Sequence, residues 1–368
     1  MPRPFHVALV LTHDCTLACD YCYMGAKSKR SMSVEIARAA IEHALVRHEA
    51  VDVGFCGGEP LLEYERLIEI VHLAQRRAQN LDRCLRLQVT TNGTRLTEAR
   101  ARKLQSLGVK MVLSLDGVRW AHDLHRRYPG GASSHEAVVT AAQCILRAGS
   151  ALEVVMVLAP DAVRALAESV AFLVDLGARR IVLNPWHEAD WRGEHLSELE
   201  LGLSQVADIY AARLRAGTPV AISPLDDKLY AAVRGRGIRS AACSFGQRNF
   251  AVAPSGAVYA CERLVADDTD DRFRIGRVRT DATLELAPRA PFDATESEPC
   301  ASCAEAWRCN RYCACANLAA TGDLTRPGGF QCWLERTTAR LADQVGHALI
   351  RERCPSFLTW AYGELAPE

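Results

Sequence analysis

The sequence carries no net charge: 44 Lys and Arg residues are balanced by 44 Asp and Glu. No global field therefore draws it toward nucleic acid or an anionic membrane surface. Long hydrophobic runs are missing too; none approaches the roughly 18 apolar residues that a membrane-spanning helix needs. The first apolar run, residues 5–11, is too short for the core of a signal peptide, and no small-residue cleavage site follows it. A cytoplasmic location is the expectation. No low-complexity tract interrupts the chain, whose 368 residues suffice for one large domain and a smaller one.

Cysteine, in contrast, is abundant. Fifteen cysteines in a reducing compartment favour metal binding over disulfides. They are also bunched: Cys15, Cys19 and Cys22, then eight from Cys243 to Cys332, with four scattered. Isolated core cysteines do not bunch in this way.

Short β-rich runs at 6–11, 51–55, 85–91, 110–115, 152–158 and 179–184 alternate with stretches of helical periodicity. Over 33–48, Val34, Ala37, Ile41, Ala44 and Leu45 share a face; over 162–176, Val163, Leu166, Val170, Leu173 and Val174 do. Six strand–helix units in series predict an α/β fold: a parallel sheet with helices outside it, its apolar strands covered on both faces. After about residue 217 the periodicity lapses. The segment 243–332, rich in Cys, Gly, Asp and Arg, needs something besides a hydrophobic core, and metal clusters would supply it. A last helix is expected over about 333–350.

Cys15, Cys19 and Cys22 are spaced C-x3-C-x2-C on the loop leaving the first strand. Zinc sites usually complete four protein ligands. Three thiolates suit a [4Fe–4S] cubane with one iron left for a ligand that is also a reactant. A structural zinc completed by a distant residue is the alternative. The loop, with Tyr21 just before its last cysteine, resembles the signature of the radical S-adenosylmethionine (SAM) superfamily, and the likeness continues in order along the chain. "GFCGGEP" (54–60) is similar to that family's glycine–glycine–glutamate motif, which implies that Gly57, Gly58, Glu59 and Pro60 meet the cofactor, Glu59 at its methionyl amine. "TTNG" (90–93), with Asn92, and "SLDG" (114–117), with Ser114 and Asp116, stand where the family places SAM-contacting and substrate-facing residues. "HDLHR" (122–126) would offer Arg126 to the cofactor carboxylate. The fifth strand ends "VMVLAP", without the Asn often found there in the family, so no ribose contact is assigned. The resemblance implies a partial (β/α)6 barrel over about 1–216, active at the C-terminal ends of its strands. There, one electron from the cluster would cleave SAM, and the 5′-deoxyadenosyl radical would take hydrogen from a substrate. An electron-transfer protein that binds clusters without SAM chemistry is the alternative of another class; it has no use for Gly57, Gly58 and Glu59.

The later cysteines read Cys243-x12-Gly256-x4-Cys261, then Cys300-x2-Cys303-x5-Cys309-x3-Cys313, then Cys332. This resembles the SPASM (twitch-type) extension of radical SAM enzymes that modify peptides and proteins. It implies a bridge and SPASM region over 217–335, with a C-terminal helix and tail over 336–368. Two auxiliary [4Fe–4S] clusters follow from the likeness, three clusters in all. Cluster I would take Cys243, Cys261 and Cys313; cluster II would take Cys300, Cys303, Cys309 and Cys332. The fourth ligand of cluster I stays open between Cys315 and a vacant position for a substrate thiolate or water. Stapling a core-poor extension is the plainer role for both clusters, and it is compatible with electron transfer. Cys56, Cys84, Cys144 and Cys354 read as ordinary buried cysteines.

SPASM enzymes mostly act on ribosomally made peptides or proteins. Since the first strand begins so early, no fused leader-recognition domain is expected; a separate recognition protein would serve, or the enzyme would grip its precursor unaided. Flavodoxin or ferredoxin would supply electrons, and no nucleic acid or membrane partner is expected. Anaerobic sulfatase-maturating enzymes are similar in layout and place an Asp base after the cysteine that follows the glycine. Here that position is Glu262, a candidate base with one more methylene of reach, or a glutamate ion-paired beside Arg263. The leading expectation is a precursor-peptide maturase that forms a thioether or carbon–carbon crosslink. Oxidation of Cys or Ser to formylglycine is the second. Trp186, His187 and Trp191, after the sixth strand, would line a peptide groove or simply cap the barrel mouth.

Overall fold

The computed structural model describes residues 4–235, 245–279, 281, 283–287, 300–309 and 313–362. Its elements begin with β1 (Phe5–Thr12), α1 (Val34–Arg47), β2 (Ala50–Gly57), α2 (Tyr64–Leu81), β3 (Cys84–Thr91), α3 (Glu98–Ser106) and β4 (Val109–Ser114). Next come α4 (Arg119–His125), α5 (His135–Arg147), β5 (Leu152–Leu158), α6 (Leu166–Asp175), β6 (Ala178–Pro185) and α7 (Gly193–Arg215). Then follow β7 (Ala221–Ser223), α8 (Leu225–Arg234), β8 (Asn249–Val252), β9 (Ala257–Tyr259), β10 (Arg274–Val278) and β11 (Leu284–Leu286). The chain ends in α9 (Ala314–Thr321), α10 (Gly329–Arg351) and α11 (Pro355–Tyr362). All six predicted strands appear, alternating with helices as a mixed α/β fold.

Local chemistry explains the boundaries. Ser33 caps α1 by accepting from Ile36 N, with Glu35 in the first turn, and the helix buries Ala37, Ala40, Ile41, Ala44 and Leu45 along one stripe. Thr97 caps α3 in the same way, through Arg100 N.

Contacts divide the chain into two compact units. The first comprises Met1–Ser114, His125–Ala151 and Ser244–Phe292. Its strands run in the order β11-β10-β9-β8-β1-β2-β3-β4. β1 to β4 and β8 are parallel, while β9, β10 and β11 join by antiparallel pairing. Thus β8, from a stretch with no readable periodicity, lies directly against β1, Ala8 opposite Ala251. The second unit comprises Leu115–Leu124, Leu152–Cys243 and Asp293–Glu368. There β5, β6 and β7 are parallel, α6 packs on α7, and α10 packs on α7 and α8.

Of the four cysteines read as buried, Cys144 and Cys354 are, and Cys56 is half-buried. Cys84 is exposed, because it opens β3 at the solvent end of the strand before the apolar residues begin. No helix among the described residues is long and apolar enough to cross a membrane.

Candidate functional site

The three-thiol loop leaves the end of β1 and is fixed in the first unit by main-chain hydrogen bonds. Its return strand is zipped to β1 through His13 N to Arg30 O at 3.0 Å and Met32 N to Leu11 O at 2.8 Å. Ala18 N donates to Arg127 O at 2.8 Å, and Cys22 N to Cys19 O at 3.2 Å. Cys15, Cys19 and Cys22 are all half-buried. Hydrogen-bond donors address two of the sulfurs. Leu17 N lies 3.4 Å and Asn92 Nδ2 3.6 Å from Cys15 Sγ, and Lys27 Nζ lies 2.8 Å from Cys22 Sγ. Burial pushes the Cys15 thiol up, against the Leu17 N–H and the Lys27 charge. Such donors favour the thiolate, the form that binds iron. Among the described residues, no three His, Cys, Asp or Glu side chains close around a point suited to a single ion. A cubane asks instead for thiols at separate corners, and an all-sulfur loop with N–H donors fits it.

Gly57, Gly58 and Glu59 form a strap across the root of this loop. Gly58 N donates to Thr12 O, and Glu59 N to Asp14 O, both at 2.8 Å. A Cβ on Gly57 would lie 2.4 Å from Thr12 O, and one on Gly58 would lie 2.1 Å from Asp14 O. Gly57 also sits at φ +137°, a conformation that side chains resist. The space these glycines free is filled by the loop's own main chain.

Glu59 is fully buried. Its Oε1 accepts from Leu61 N at 2.9 Å and from the Thr91 hydroxyl at 2.7 Å, and Oε2 accepts from Asn92 N at 2.8 Å. Burial pushes its pKa up, and these donors pull it back. Asn92 continues the chain: its Oδ1 accepts from Thr94 N at 3.0 Å, and its Nδ2 donates to Thr16 Oγ1 at 3.1 Å as well as toward Cys15. One unbroken path therefore joins Glu59 to the first thiol. Thr16 and Thr91 were not foreseen, since the hydrogen bond of a hydroxyl leaves no periodic trace in a sequence. Pro60 is buried and opens the short turn after Glu59.

On the loop's other flank the Arg126 guanidinium lies over the Tyr21 ring, 5.2 Å from its centroid. His125 Nδ1 is 3.1 Å from Asp20 Oδ2. Asp20 and His125 are further unforeseen partners of the loop. Ser114 ends β4 in the first unit. Asp116 belongs to the second unit, where its Oδ1 accepts from Val157 N at 2.9 Å and fixes the end of β5.

Glu262 is half-buried just after β9, with Oε2 3.6 Å from Cys261 Sγ. Arg263 lies over the Tyr23 ring at 5.1 Å. Burial, reinforced by Glu262 and Cys261, pushes the Cys56 thiol well up. Cys22 and Cys56 pack on one apolar cluster that includes Val10, Met24, Ala251, Tyr259 and Val265. The thiol loop, the end of β2 and the β8–β9 hairpin thus share a core.

In the second unit Cys300, Cys303, Cys309 and Cys332 line a single cavity with Gln331 and Glu335. Four thiols around one space are a complete donor set for a [4Fe–4S] cluster. Arg308, beside Cys309, clamps this region through Glu305 at 2.6 Å and through both Asp343 oxygens at 2.6 and 2.7 Å. Cys313 caps α9 in this unit, Cys315 is buried within that helix, and Cys261 stands in the first unit. Cys243 lies outside the described residues. Trp191 stacks on Phe330, centroids 4.3 Å apart at 7°, and its Nε1 donates to Trp186 O at 2.9 Å.

Comparison with known proteins bears on this geometry. The chain is 32% identical over 129 residues to an uncharacterized protein of Methanocaldococcus jannaschii, a stretch that is 35% of this chain and 44% of that one. It is 25% identical over 350 residues to a serine-type anaerobic sulfatase-maturating enzyme of Klebsiella aerogenes, covering 89% and 84% of the two chains. Identity to a PqqA peptide cyclase of Streptomyces rochei is 28% over 341 residues, 87% of each chain. A solved structure, native anSMEcpe with bound AdoMet and Cp18Cys peptide, aligns with TM-score 0.76 at 18% identity, over 95% of this chain and 99% of that one. This last likeness is one of fold, and it bears out the α/β, partial-barrel class expected from the sequence. Residues 9–173 match the radical SAM superfamily. The zinc and electron-carrier readings give way to that match. Residues 9–173 carry a radical SAM domain, whose family works with S-adenosylmethionine and a [4Fe–4S] cluster, and matches over most of the chain include maturating enzymes.

Proposed function

We propose that the protein is a SPASM-type radical SAM maturase that modifies a ribosomally made precursor peptide, forming a thioether or carbon–carbon crosslink. The observation that carries this reading is the second, four-thiol cavity of Cys300, Cys303, Cys309 and Cys332, separate in sequence from the three-thiol loop. A peptide substrate is supported by the relative named as a PqqA peptide cyclase and by the peptide held in the anSMEcpe structure.

Cys15, Cys19 and Cys22 would hold the SAM-binding cluster, leaving one iron for the amino and carboxylate groups of the cofactor. Cluster and cofactor together supply reductive cleavage of a sulfonium carbon bond and a carbon radical able to take a hydrogen atom. The chain's own residues hold and orient. Gly57 and Gly58 clamp the loop, Glu59 and Asn92 fix its first thiol, and Tyr21 with Arg126 brace its last turn. The methionyl ammonium would then be met by carbonyls of the Gly57–Pro60 strap, with Glu59 supplying negative charge from beneath. Cys243, Cys261 and Cys313 are assigned to auxiliary cluster I, and the cavity cysteines to cluster II. Glu262, next to Cys261, would take the substrate proton. A reductant such as flavodoxin or ferredoxin completes the scheme, with the precursor gripped by a separate leader-recognition protein or by the enzyme unaided.

Sulfatase maturation is the second reading, favoured by the acidic residue directly after Cys261 and by the 350-residue match to a sulfatase-maturating enzyme. The experiment is anaerobic: reconstituted protein, SAM and reductant are incubated with a precursor peptide encoded beside the gene, or with a sulfatase-derived peptide. Release of 5′-deoxyadenosine, and a peptide that has lost two hydrogens and gained a crosslink, are expected. Formylglycine on the sulfatase peptide alone would establish the second reading; no 5′-deoxyadenosine would sink both.

A further inference from the structure

Behind the four-thiol cavity lies a chain of buried polar groups that thiol ligation does not by itself require. Lys228, on α8, is 1% exposed. Its Nζ donates to Arg308 O at 2.6 Å and to Glu335 Oε2. Glu335 Oε1 in turn accepts from Gln331 Nε2 at 3.0 Å, one turn earlier on α10. Gln331 and Glu335 both line the cavity, and Gln331 Oε1 is buried there with no hydrogen-bond partner.

The connectivity is informative. Arg308 directly precedes Cys309, and Glu335 is on the helix that carries Cys332. Lys228 therefore bonds at once to both segments that bring thiols to the cavity. The charges are informative too. A [4Fe–4S] cluster with four thiolates is a net anion, and Glu335 adds a further negative charge at its edge. Two like charges in a dry pocket repel strongly unless a cation sits between or behind them. Arg308 cannot serve, because Glu305 and Asp343 neutralise it. Arg336 also lines the cavity, but it is exposed and screened by water. Lys228 is the buried cation in position.

We propose that the Lys228–Glu335–Gln331 chain is a positioning and charge-setting support for the auxiliary cluster held by Cys300, Cys303, Cys309 and Cys332. This rests on the reading above that those thiols hold a cluster. Lys228 offsets Glu335 and favours the reduced cluster, Glu335 disfavours it, and Gln331 presents its amide to whatever fills the cavity. The three act through the cluster's environment and touch no substrate.

The test is a redox titration followed by electron paramagnetic resonance on anaerobically reconstituted full-length protein. Wild type is compared with Lys228→Gln, Glu335→Gln and the double variant K228M/E335M. The relevant signal is the one that Cys332→Ala removes. Lys228→Gln should move its midpoint to lower potential and Glu335→Gln to higher, with the double variant returning toward wild type. A merely structural network would lower melting temperature and iron content while leaving the midpoint of the retained cluster unchanged; that result overturns the proposal. If Lys228→Gln does not fold, Glu335→Gln and the double variant still decide. Should Cys332→Ala remove no iron, the cluster assignment itself fails, and this inference falls with it.

Discussion

The backbone N–H of Glu59 donates to the carbonyl of Asp14 at 2.8 Å, one residue before the first thiol of the loop. The motif at the end of β2 is thus stitched to the root of the three-thiol loop at the end of β1. A change in one displaces the other.

Gly58→Ala tests that stitch directly. The added Cβ would lie 2.1 Å from Asp14 O, and main chain cannot swing aside as a flexible side chain can. Overpacking of this kind costs about 1–3 kcal/mol. Reconstituted Gly58→Ala should hold about four fewer irons per chain by colorimetric assay, one cubane's worth. Full iron content with normal SAM cleavage would show that the loop does not depend on the strap.

Glu59→Gln keeps the shape and removes the charge. Its amide would set an N–H group against the donors from Leu61, Thr91 and Asn92 that Glu59 now accepts. One buried mismatch of that sort costs roughly 1–3 kcal/mol. A lower melting temperature and a weakened SAM affinity are expected together. A drop in affinity alone, at unchanged melting temperature, would mean that the carboxylate serves the cofactor and not the scaffold.

Cys332→Ser and Cys15→Ser should each remove about four irons, independently of one another, as the proposal of two separate cubanes requires. Cys15→Ser should abolish 5′-deoxyadenosine release. Cys332→Ser should retain some of it while losing modified peptide. Joint loss of all iron in either variant would contradict two separate sites.

Glu262→Gln removes the proposed base without changing size. General base catalysis contributes about 10²- to 10⁴-fold, so product formation should fall by that range while SAM cleavage persists. Glu262→Asp should recover part of the loss. Unchanged product yield in Glu262→Gln would assign the residue to the surface electrostatics around Cys261 and Arg263.

Asp226, at the start of α8, has a buried Oδ1 without a partner. Burial, then the neighbouring Asp227, pushes its carboxyl up to about 7. Between about pH 4 and about pH 7 the folded chain keeps this proton while the unfolded chain has released it. Stability therefore falls as pH rises through that window and is flat above it. Asp226→Asn stays neutral throughout and should melt higher than wild type at pH 8, with the gap closing toward pH 4. Parallel melting curves at both pH values would refute the shift.

Much of this was legible in the residues. The six strands of the parallel region were readable because apolar β-branched runs and helical stripes repeat within short windows, where period and burial coincide. The grouping of Cys15, Cys19 and Cys22 was readable because one short loop carries all three. Cys84 was misread as buried because spacing alone does not say at which end of a strand solvent begins. The strands β8 to β11 went unseen, since three- to five-residue strands give too little alternation to register, and β8 owes its place to pairing with β1.

The order of chemistry-bearing residues, and hence the family, was settled by the sequence alone: thiol spacing and strand-end motifs are local patterns that survive without coordinates. Tertiary structure alone decided what each residue leans on. The glycines make room for main chain, Glu59 is gripped by Thr91 and Asn92, and Lys228 spans two thiol-bearing segments. Those partners lie tens of residues apart, and hydrogen bonds between such distant groups are set by packing, which no short window of sequence contains.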